Sequence, residues 1–117
     1  MLGVGIDIEE ISRFRKYSLE KDGHFLKSIF SKNELEYCFQ KKHPEKHLAA
    51  RFCAKEAFFK SLPYNDKRIK FNEIEILNDE EGKPYIQCAY FTNFKFLVSL
   101  SHDKTKAIAI VNCLDNN

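Results

Sequence analysis

The sequence predicts an α+β fold in which helices fill mainly the N-terminal half and antiparallel strands fill the rest. Helix boundary signals cluster between residues 31 and 63, whereas apolar and polar residues alternate with period two at the N-terminus and between residues 71 and 111. Segregated helices and strands are typical of α+β proteins. We expect the helices to pack on an antiparallel sheet formed by the N-terminal strand and the C-terminal strands. The 117 residues suffice for one core, so residues 1–117 are expected to form a single domain.

The composition excludes several classes of protein. A net charge of +2 is too small to indicate nucleic-acid binding by itself, and no apolar run reaches the roughly 18 residues of a membrane span. The four cysteines lack C-x-x-C spacing, which favours isolated thiols in a reducing compartment. Since the chain begins directly with a strand-like run and no signal peptide precedes it, we expect a cytoplasmic protein. Its eleven Phe and five Tyr are many for this length, which is compatible with self-association.

Residues 2–8 predict a strand whose two faces differ in character. Leu2, Val4, Ile6 and Ile8 share one face, and Gly3, Gly5, Asp7 and Glu9 share the other. The glycines leave room beside Asp7 for a ligand or for another backbone. Alternatively, Asp7 caps a following helix and the glycines permit helix packing. Residues 9–16 predict that helix, which is short and basic.

The remaining elements follow from boundary residues and periodicity. Gly23 predicts a break, and Ser31 with Glu34 forms a capping box for a helix that extends to about Gln40. Pro44 and Pro63 delimit a long helix. Strands are predicted over 71–77, 85–90, 96–101 and 107–111, with turns over 78–84 and 103–106.

Two charged residues, Glu56 and Lys60, fall within an apolar arc of the long helix, next to Ala49, Phe52 and Cys53. At this spacing they could form an ordinary helix salt bridge. If Asp7 meets Glu56 in space, however, the two carboxylates must share a proton or bind a cation. Two carboxylates suit Mg²⁺, which takes its other ligands from water and phosphates, and Lys60 would then stabilise phosphate charge.

Further polar segments have both a functional and a plain structural interpretation. Residues 99–102 (Ser-Leu-Ser-His) could line a phosphate pocket or simply end a strand at an exposed turn. Residues 82–84 (Gly-Lys-Pro) are ordinary turn residues. Arg13, Arg15 and Lys16 could be a solvated helix face.

Together these segments resemble the small, stand-alone bacterial 4'-phosphopantetheinyl transferases, the holo-acyl-carrier-protein synthases. The resemblance rests on six segments in a fixed order, which cover almost the whole chain: residues 5–7, residues 30–34, residues 51–60, residues 73–76, residues 82–84 and residues 99–102. Each segment is modest alone, but the ordered set is highly specific.

The resemblance implies transfer of phosphopantetheine from coenzyme A to a serine of an apo-acyl carrier protein, in fatty acid biosynthesis. It implies that Asp7 and Glu56 bind Mg²⁺, and that Lys60 contacts the pyrophosphate and assists catalysis with Glu56. It assigns coenzyme A binding to Arg51, Lys60, Gly82, Lys83, Pro84, Ser101 and His102, and carrier-protein contact to Arg13, with Arg15 and Lys16 as neighbours. It also implies homotrimers with active sites between subunits.

Two other classes of function are alternatives to this one. A small nucleic-acid-binding module would use the basic first helix and aromatic residues, but the predicted strands show no aromatic and basic stripe. A structural subunit without catalysis is disfavoured by the presence of Asp7, Glu56 and Lys60. Membrane binding is not expected.

Overall fold

The computed structural model of the chain describes residues 2–116 and has the predicted α+β architecture. The helices are α1 (Leu19–Ile29), α2 (Lys32–Phe39) and α3 (Pro44–Ser61). The strands are β1 (Gly3–Glu10), β2 (Glu75–Asn78), β3 (Pro84–Gln87), β4 (Phe94–His102) and β5 (Lys106–Asp115). Two short 3-10 turns cover Ile11–Phe14 and Phe71–Glu73.

The first and last strands form one antiparallel sheet with the order β1-β5-β4, as expected. In its register Asp7 lies opposite Ala109, and Leu100 also lies opposite Ala109 from the other side. The strands β2 and β3 pair separately as an antiparallel hairpin. The hairpin lies next to β4 without pairing with it in one sheet.

Helix α3 packs across one face of the main sheet, and close backbone contact with β1 makes this possible. A Cβ atom on Gly5 would lie 1.9 Å from the carbonyl oxygen of Ala57, and one on Gly3 would lie 2.1 Å from that of Ser61. Only glycine fits at such a distance. The glycines of β1 thus serve helix packing, which was the second of the two interpretations.

The predicted helix boundaries are largely confirmed. The hydroxyl of Ser31 accepts a hydrogen bond from the Glu34 amide while the Glu34 side chain accepts one from the Ser31 amide, which completes the capping box. Pro44 begins α3, and the helix ends at Ser61. The break predicted at Gly23 lies one residue earlier, at Asp22, whose φ of −116° is not helical and which kinks α1.

Three local predictions are wrong. Residues 9–16 do not form a helix, because β1 extends to Glu10 and only a 3-10 turn follows. The strand predicted over 71–77 is confined to Glu75–Asn78, since the carbonyl groups of Phe71 and Ile74 are taken by the ammonium group of Lys55. The strand predicted over 85–90 is β3, which ends at Gln87.

The outer face of the main sheet, opposite α3, is apolar and exposed. Its large exposed apolar side chains are Leu2, Val4, Ile6, Ile8, Leu97, Ile108 and Ile110. Ile6 and Ile8 are each more than half exposed, at 55% and 56%. Within residues 2–116, no helix is long and apolar enough to cross a bilayer.

Candidate active site

The close contact between β1 and α3 brings Asp7, Glu56 and Lys60 together. Asp7 lies on the inner face of β1, and only 13% of its side chain is exposed. The ammonium group of Lys60 donates to Asp7 Oδ1 at 3.3 Å and to the carbonyl oxygen of Ile6 at 3.1 Å. Lys60 thus forms its ion pair with Asp7 of β1 rather than with Glu56 of its own helix.

Glu56 is half-buried beside Asp7. Burial raises the pKa of Glu56, and the Asp7 carboxylate raises it further, whereas Lys60 and Arg13 lower it. A carboxylate whose charged form is destabilised by burial and by a like charge gains from a cation. Lys60 supplies one positive charge to the two carboxylates, and a bound cation would stabilise them further.

Glu9 joins this pair, a role that was not predicted. Burial raises the pKa of Glu9, and the neighbouring Asp7 carboxylate raises it further, while Arg13 lowers it. The carboxylate of Glu9 accepts a hydrogen bond from Arg13 Nη1 at 2.8 Å. The signal was available, because period two in a strand places Glu9 on the same face as Asp7.

The residues present fit a divalent cation. The Oδ2 atom of Asp7 is buried and has no hydrogen-bond partner among residues 2–116, so one carboxylate oxygen is available to a cation. Within the same residues, no group of three or more His, Cys, Asp or Glu side chains is arranged as a metal site. Two carboxylates with open positions suit Mg²⁺, which keeps waters and takes phosphate ligands.

A cavity of about 410 Å³ brings together most of the residues predicted to bind coenzyme A. It lies between α3, the β2–β3 hairpin and β4. Its polar lining residues are Tyr37, Lys46, His47, Arg51, Asn78, Lys83, Ser99 and His102, and Gly82 and Pro84 complete the hairpin side. The concentration of cationic side chains favours an anionic ligand such as a nucleotide phosphate.

Arg51 is the central residue of this cavity. It is 3% exposed, its Nη2 donates to Asn78 Oδ1, and its guanidinium carbon lies 4.1 Å from the centroid of the Tyr37 ring. The side chain of Asn78 donates in turn to the carbonyl oxygen of Gly82 at 2.9 Å. The Nε atom of Arg51 is buried without a partner in the described part of the chain. Arg51 is thus held rigidly with unused donor capacity.

The turn that carries Lys83 depends on Gly82. Gly82 has a φ of +86°, which side chains rarely tolerate. The Asp79 carboxylate accepts from the amides of Glu81 and Lys83 at 2.9 and 2.8 Å, which fixes the turn. The segment 82–84 is therefore an ordinary turn in structure that also borders the cavity.

Ser101 lies apart from this cavity. Strand alternation directs Ser101 to the outer face of the sheet, in a row with Ile108 and Ile8. There it borders a depression of about 230 Å³ together with Lys106 and His102. His102 borders both this depression and the larger cavity. Ser99, two residues earlier on the same face of β4, lines the cavity instead, so position along the strand rather than the choice of face separates Ser101 from it.

The basic residues predicted to contact a carrier protein are exposed near the end of β1. Arg13 is held against Glu9, and its guanidinium carbon lies 4.9 Å from the centroid of the Phe52 ring. Lys16 Nζ lies 5.4 Å from the Tyr17 ring centroid, and Arg15 is exposed. Arg13 therefore connects the basic surface to the carboxylates of the site.

A larger cavity of about 720 Å³ lies between α1 and α2 and includes none of the predicted site residues. Its lining is mainly apolar, with Leu19, Phe30, Leu35 and Phe39. The smaller cavity around Arg51 is the better candidate site, because convergent charged groups rather than size indicate an anionic ligand.

Comparison with known proteins assigns the family. A family model described as the 4'-phosphopantetheinyl transferase superfamily matches residues 3–111. The chain belongs to this superfamily. The transferase is 39% identical to a holo-[acyl-carrier-protein] synthase of Geotalea daltonii, over 93% of this chain and 94% of the relative.

Solved structures agree with this assignment. A holo-(acyl-carrier-protein) synthase from Bacillus anthracis in complex with coenzyme A (3',5'-ADP) is 32% identical, with a TM-score of 0.81 over 99% of the transferase and 97% of that chain. The Helicobacter pylori enzyme in complex with coenzyme A is 29% identical, with a TM-score of 0.79 over 94% and 98%. The resemblance and the transferase fold inferred from the sequence are both confirmed.

Proposed function

We propose that this enzyme is a holo-[acyl-carrier-protein] synthase, which transfers 4'-phosphopantetheine from coenzyme A to a serine of apo-acyl carrier protein and releases adenosine 3',5'-bisphosphate. The observation that carries the proposal is the pairing of two half-buried carboxylates, Asp7 and Glu56, together with a cavity lined by cationic side chains that include Arg51 of the same helix, α3. The relatives named above are holo-acyl-carrier-protein synthases, and two are complexes with coenzyme A. Residues 1–117 act in this proposal as one domain, in fatty acid biosynthesis.

Asp7 and Glu56 are the proposed ligands of Mg²⁺. The unpartnered Oδ2 atom of Asp7 and the raised pKa of Glu56 support this assignment. When bound, Mg²⁺ neutralises charge on the pyrophosphate of coenzyme A. Lys60, whose ammonium group already reaches Asp7, contacts the same pyrophosphate and stabilises the charge that develops on the leaving nucleotide.

The nucleotide half of coenzyme A binds in the cavity around Arg51. Arg51 and Lys83 supply positive charge, His102 lies at the rim, and Gly82 and Pro84 form the wall on the hairpin side. Ser101 lines the neighbouring depression, where a longer ligand would continue past His102. Arg13, with Arg15 and Lys16, receives an acidic carrier surface.

The transfer forms one bond and breaks one bond at the β-phosphorus of coenzyme A. The serine oxygen of the carrier attacks that phosphorus, and the phosphoanhydride bond to the nucleotide breaks, so that its electron pair leaves with the adenosine bisphosphate. The serine proton goes to Glu56 or to a water held beside it.

The exposed outer face of the main sheet supports self-association as a homotrimer. Seven large apolar side chains from three adjacent strands form one surface, which a monomer would leave in water. The depression around Ser101 and His102 opens on this face. A neighbouring subunit would therefore border the active site.

All four cysteines are free, which supports a reducing, cytoplasmic location.

Incubation with coenzyme A, Mg²⁺ and an apo-acyl carrier protein tests the proposed reaction. Intact-mass measurement is expected to show a carrier heavier by one phosphopantetheine group, with equimolar adenosine 3',5'-bisphosphate. A carrier with its acceptor serine replaced by alanine is expected to stay unmodified. An unmodified wild-type carrier would overturn the proposal.

A further inference from the structure

Lys55 and Glu34 form a completely buried ion pair that the proposed chemistry does not use. Both side chains are 0% exposed, and Lys55 Nζ lies 2.6 Å from Glu34 Oε1. Because neither side chain reaches solvent or a cavity, neither touches a substrate. Burial lowers the pKa of Lys55, while Glu34 raises it. Charges are seldom buried to this extent without a specific structural purpose.

Every polar atom of the pair has a partner. The Lys55 ammonium group also donates to the carbonyl oxygens of Phe71, at 2.8 Å, and Ile74. The Glu34 carboxylate also accepts from the amides of Ser31, at 2.9 Å, and Ile76, at 3.0 Å. The pair thus joins the start of α2, the middle of α3 and the entry to the β2–β3 hairpin.

A second contact between α3 and the hairpin lies one helical turn away. Arg51 precedes Lys55 by four residues and donates to Asn78, which follows Ile76 by two. Helix and strand therefore contact each other at two successive points: the Lys55–Glu34–Ile76 contact, which is buried, and the Arg51–Asn78 contact, which borders the nucleotide cavity. The first contact fixes where the second can form.

We propose that Lys55 and Glu34 are positioning residues for coenzyme A, because they hold the β2–β3 hairpin at the distance from α3 that the nucleotide requires. This inference rests on the proposed function, since it assumes that the nucleotide half of coenzyme A occupies the cavity around Arg51. It assigns a purpose to residues 30–34 and 73–76, whose side chains do not line that cavity.

The competing explanation is that the pair only stabilises the fold. Buried ion pairs are weak sources of stability, because the cost of desolvation offsets the attraction between the charges. Removal of one partner, by contrast, leaves a buried charge and is strongly destabilising. Single charge-removing substitutions therefore cannot separate the two explanations, and the variant must neutralise both residues together.

The double variant Glu34→Gln/Lys55→Met neutralises both residues at similar volume. The glutamine oxygen can still accept from Ile76, but the Ser31 amide loses its acceptor and the carbonyl oxygens of Phe71 and Ile74 lose their ammonium donor. Loss of the ionic clamp is expected to displace the hairpin and to raise both the KM for coenzyme A and the Kd for adenosine 3',5'-bisphosphate by roughly tenfold, since small misplacements are costly. The KM for the carrier and kcat at saturating coenzyme A are expected to stay within about threefold.

Leu26→Ala is the matched control, because Leu26 is fully buried in α1 and its truncation destabilises the fold without touching the hairpin. It is expected to lower the melting temperature but to leave the nucleotide Kd unchanged. If the double variant does not fold, Glu34→Asp keeps the charge but shortens the clamp, and the same rise in nucleotide Kd is expected.

Calorimetric titration of each folded variant with adenosine 3',5'-bisphosphate decides the matter. An unchanged Kd in the folded double variant, or in Glu34→Asp if only that variant folds, would overturn the inference. An equal rise in Leu26→Ala would do so as well. Failure of the wild-type enzyme to bind the nucleotide would instead refute the proposed function, so the two failures are distinguishable.

Discussion

Lys60 on α3 donates a hydrogen bond to Asp7 on β1, with 3.3 Å between Nζ and Oδ1, although Glu56 lies one turn away on its own helix. The ammonium group thus bridges the two elements at the point where the carboxylates meet. This contact exists only because the backbone of β1 approaches α3 so closely. The geometry of the glycines in β1 therefore controls the chemistry of the site.

Gly5→Ala tests that control. Its Cβ would lie 1.9 Å from the Ala57 carbonyl oxygen, so β1 must move away from α3. We expect a loss of about 3 kcal/mol in the free energy of unfolding, at the upper end for overpacking, together with a loss of transfer activity as Asp7 leaves Glu56. Denaturant unfolding and the intact-mass assay measure the two effects.

Gly23→Ala provides the control, because no atom lies within 4 Å of the position of its Cβ. Its free energy of unfolding is expected to change by less than about 1 kcal/mol, and its activity to stay intact. Similar behaviour of the two alanine variants would contradict the role given to Gly5.

Ile6→Asp tests the exposed face of the main sheet. Ile6 is 55% exposed in the single chain, so a carboxylate there costs the isolated fold little but would be buried in an assembly. We expect the wild type to be a trimer by light scattering and Ile6→Asp to be a folded monomer with reduced activity. Leu19→Asp, at an exposed position on α1, is expected to remain trimeric. A monomeric wild type would refute the proposed assembly.

Arg13→Glu tests the basic surface near β1. Reversal of this charge repels an acidic carrier and also removes the partner of Glu9. The KM for the carrier is expected to rise about tenfold or more, with a smaller change in the KM for coenzyme A. Lys67→Glu, an exposed charge reversal in another loop, serves as control. Equal increases in both KM values would refute this division between carrier and coenzyme A.

His47 links nucleotide binding to pH. Burial lowers its pKa below the ordinary value of 6.5, and the positive charges of Arg51, Lys41, His102 and Lys46 lower it further. In the free protein, His47 therefore takes up a proton at higher pH in the unfolded state than in the folded state. The free energy of unfolding decreases as pH falls through 6.5. A phosphate in the cavity reverses the shift, so binding takes up a proton.

Calorimetry of adenosine 3',5'-bisphosphate binding in buffers of different ionisation enthalpy measures the proton uptake at about pH 6. Because the phosphate itself titrates in this range, His47→Asn provides the reference, and its proton uptake is expected to be smaller than that of the wild type. Identical uptake by the two proteins would rule out His47 as the linked group.

The sequence was sufficient where a feature is local. The capping box of Ser31 and Glu34, the boundaries of α3 and the alternation of β1 follow from neighbouring residues. The strand predicted at residue 71 failed because Lys55, far away in sequence, binds the carbonyl groups of Phe71 and Ile74. The sequence predicts Glu34 only as a helix cap, because its pairing with Lys55 depends on how the helices pack.

At the active site, the family resemblance rather than periodicity predicts that Asp7 pairs with Glu56. Adjacency to His102 predicts that Ser101 lies in the same cavity, but Ser101 borders the neighbouring depression and Ser99 lines the cavity. Glu9 was placed on the correct face but given no role, because its contact with Asp7 and Arg13 depends on the turn that follows β1.

The most direct test of the two-carboxylate site is a titration of Mn²⁺, followed by electron paramagnetic resonance, into wild type, Asp7→Asn and Glu56→Gln in the presence of coenzyme A. The wild type is expected to bind one ion per chain, and each variant to lose this binding and at least about 100-fold in transfer rate. Both variants should still fold and bind adenosine 3',5'-bisphosphate. A variant that binds the ion and transfers phosphopantetheine at the wild-type rate would contradict the assignment of Asp7 and Glu56.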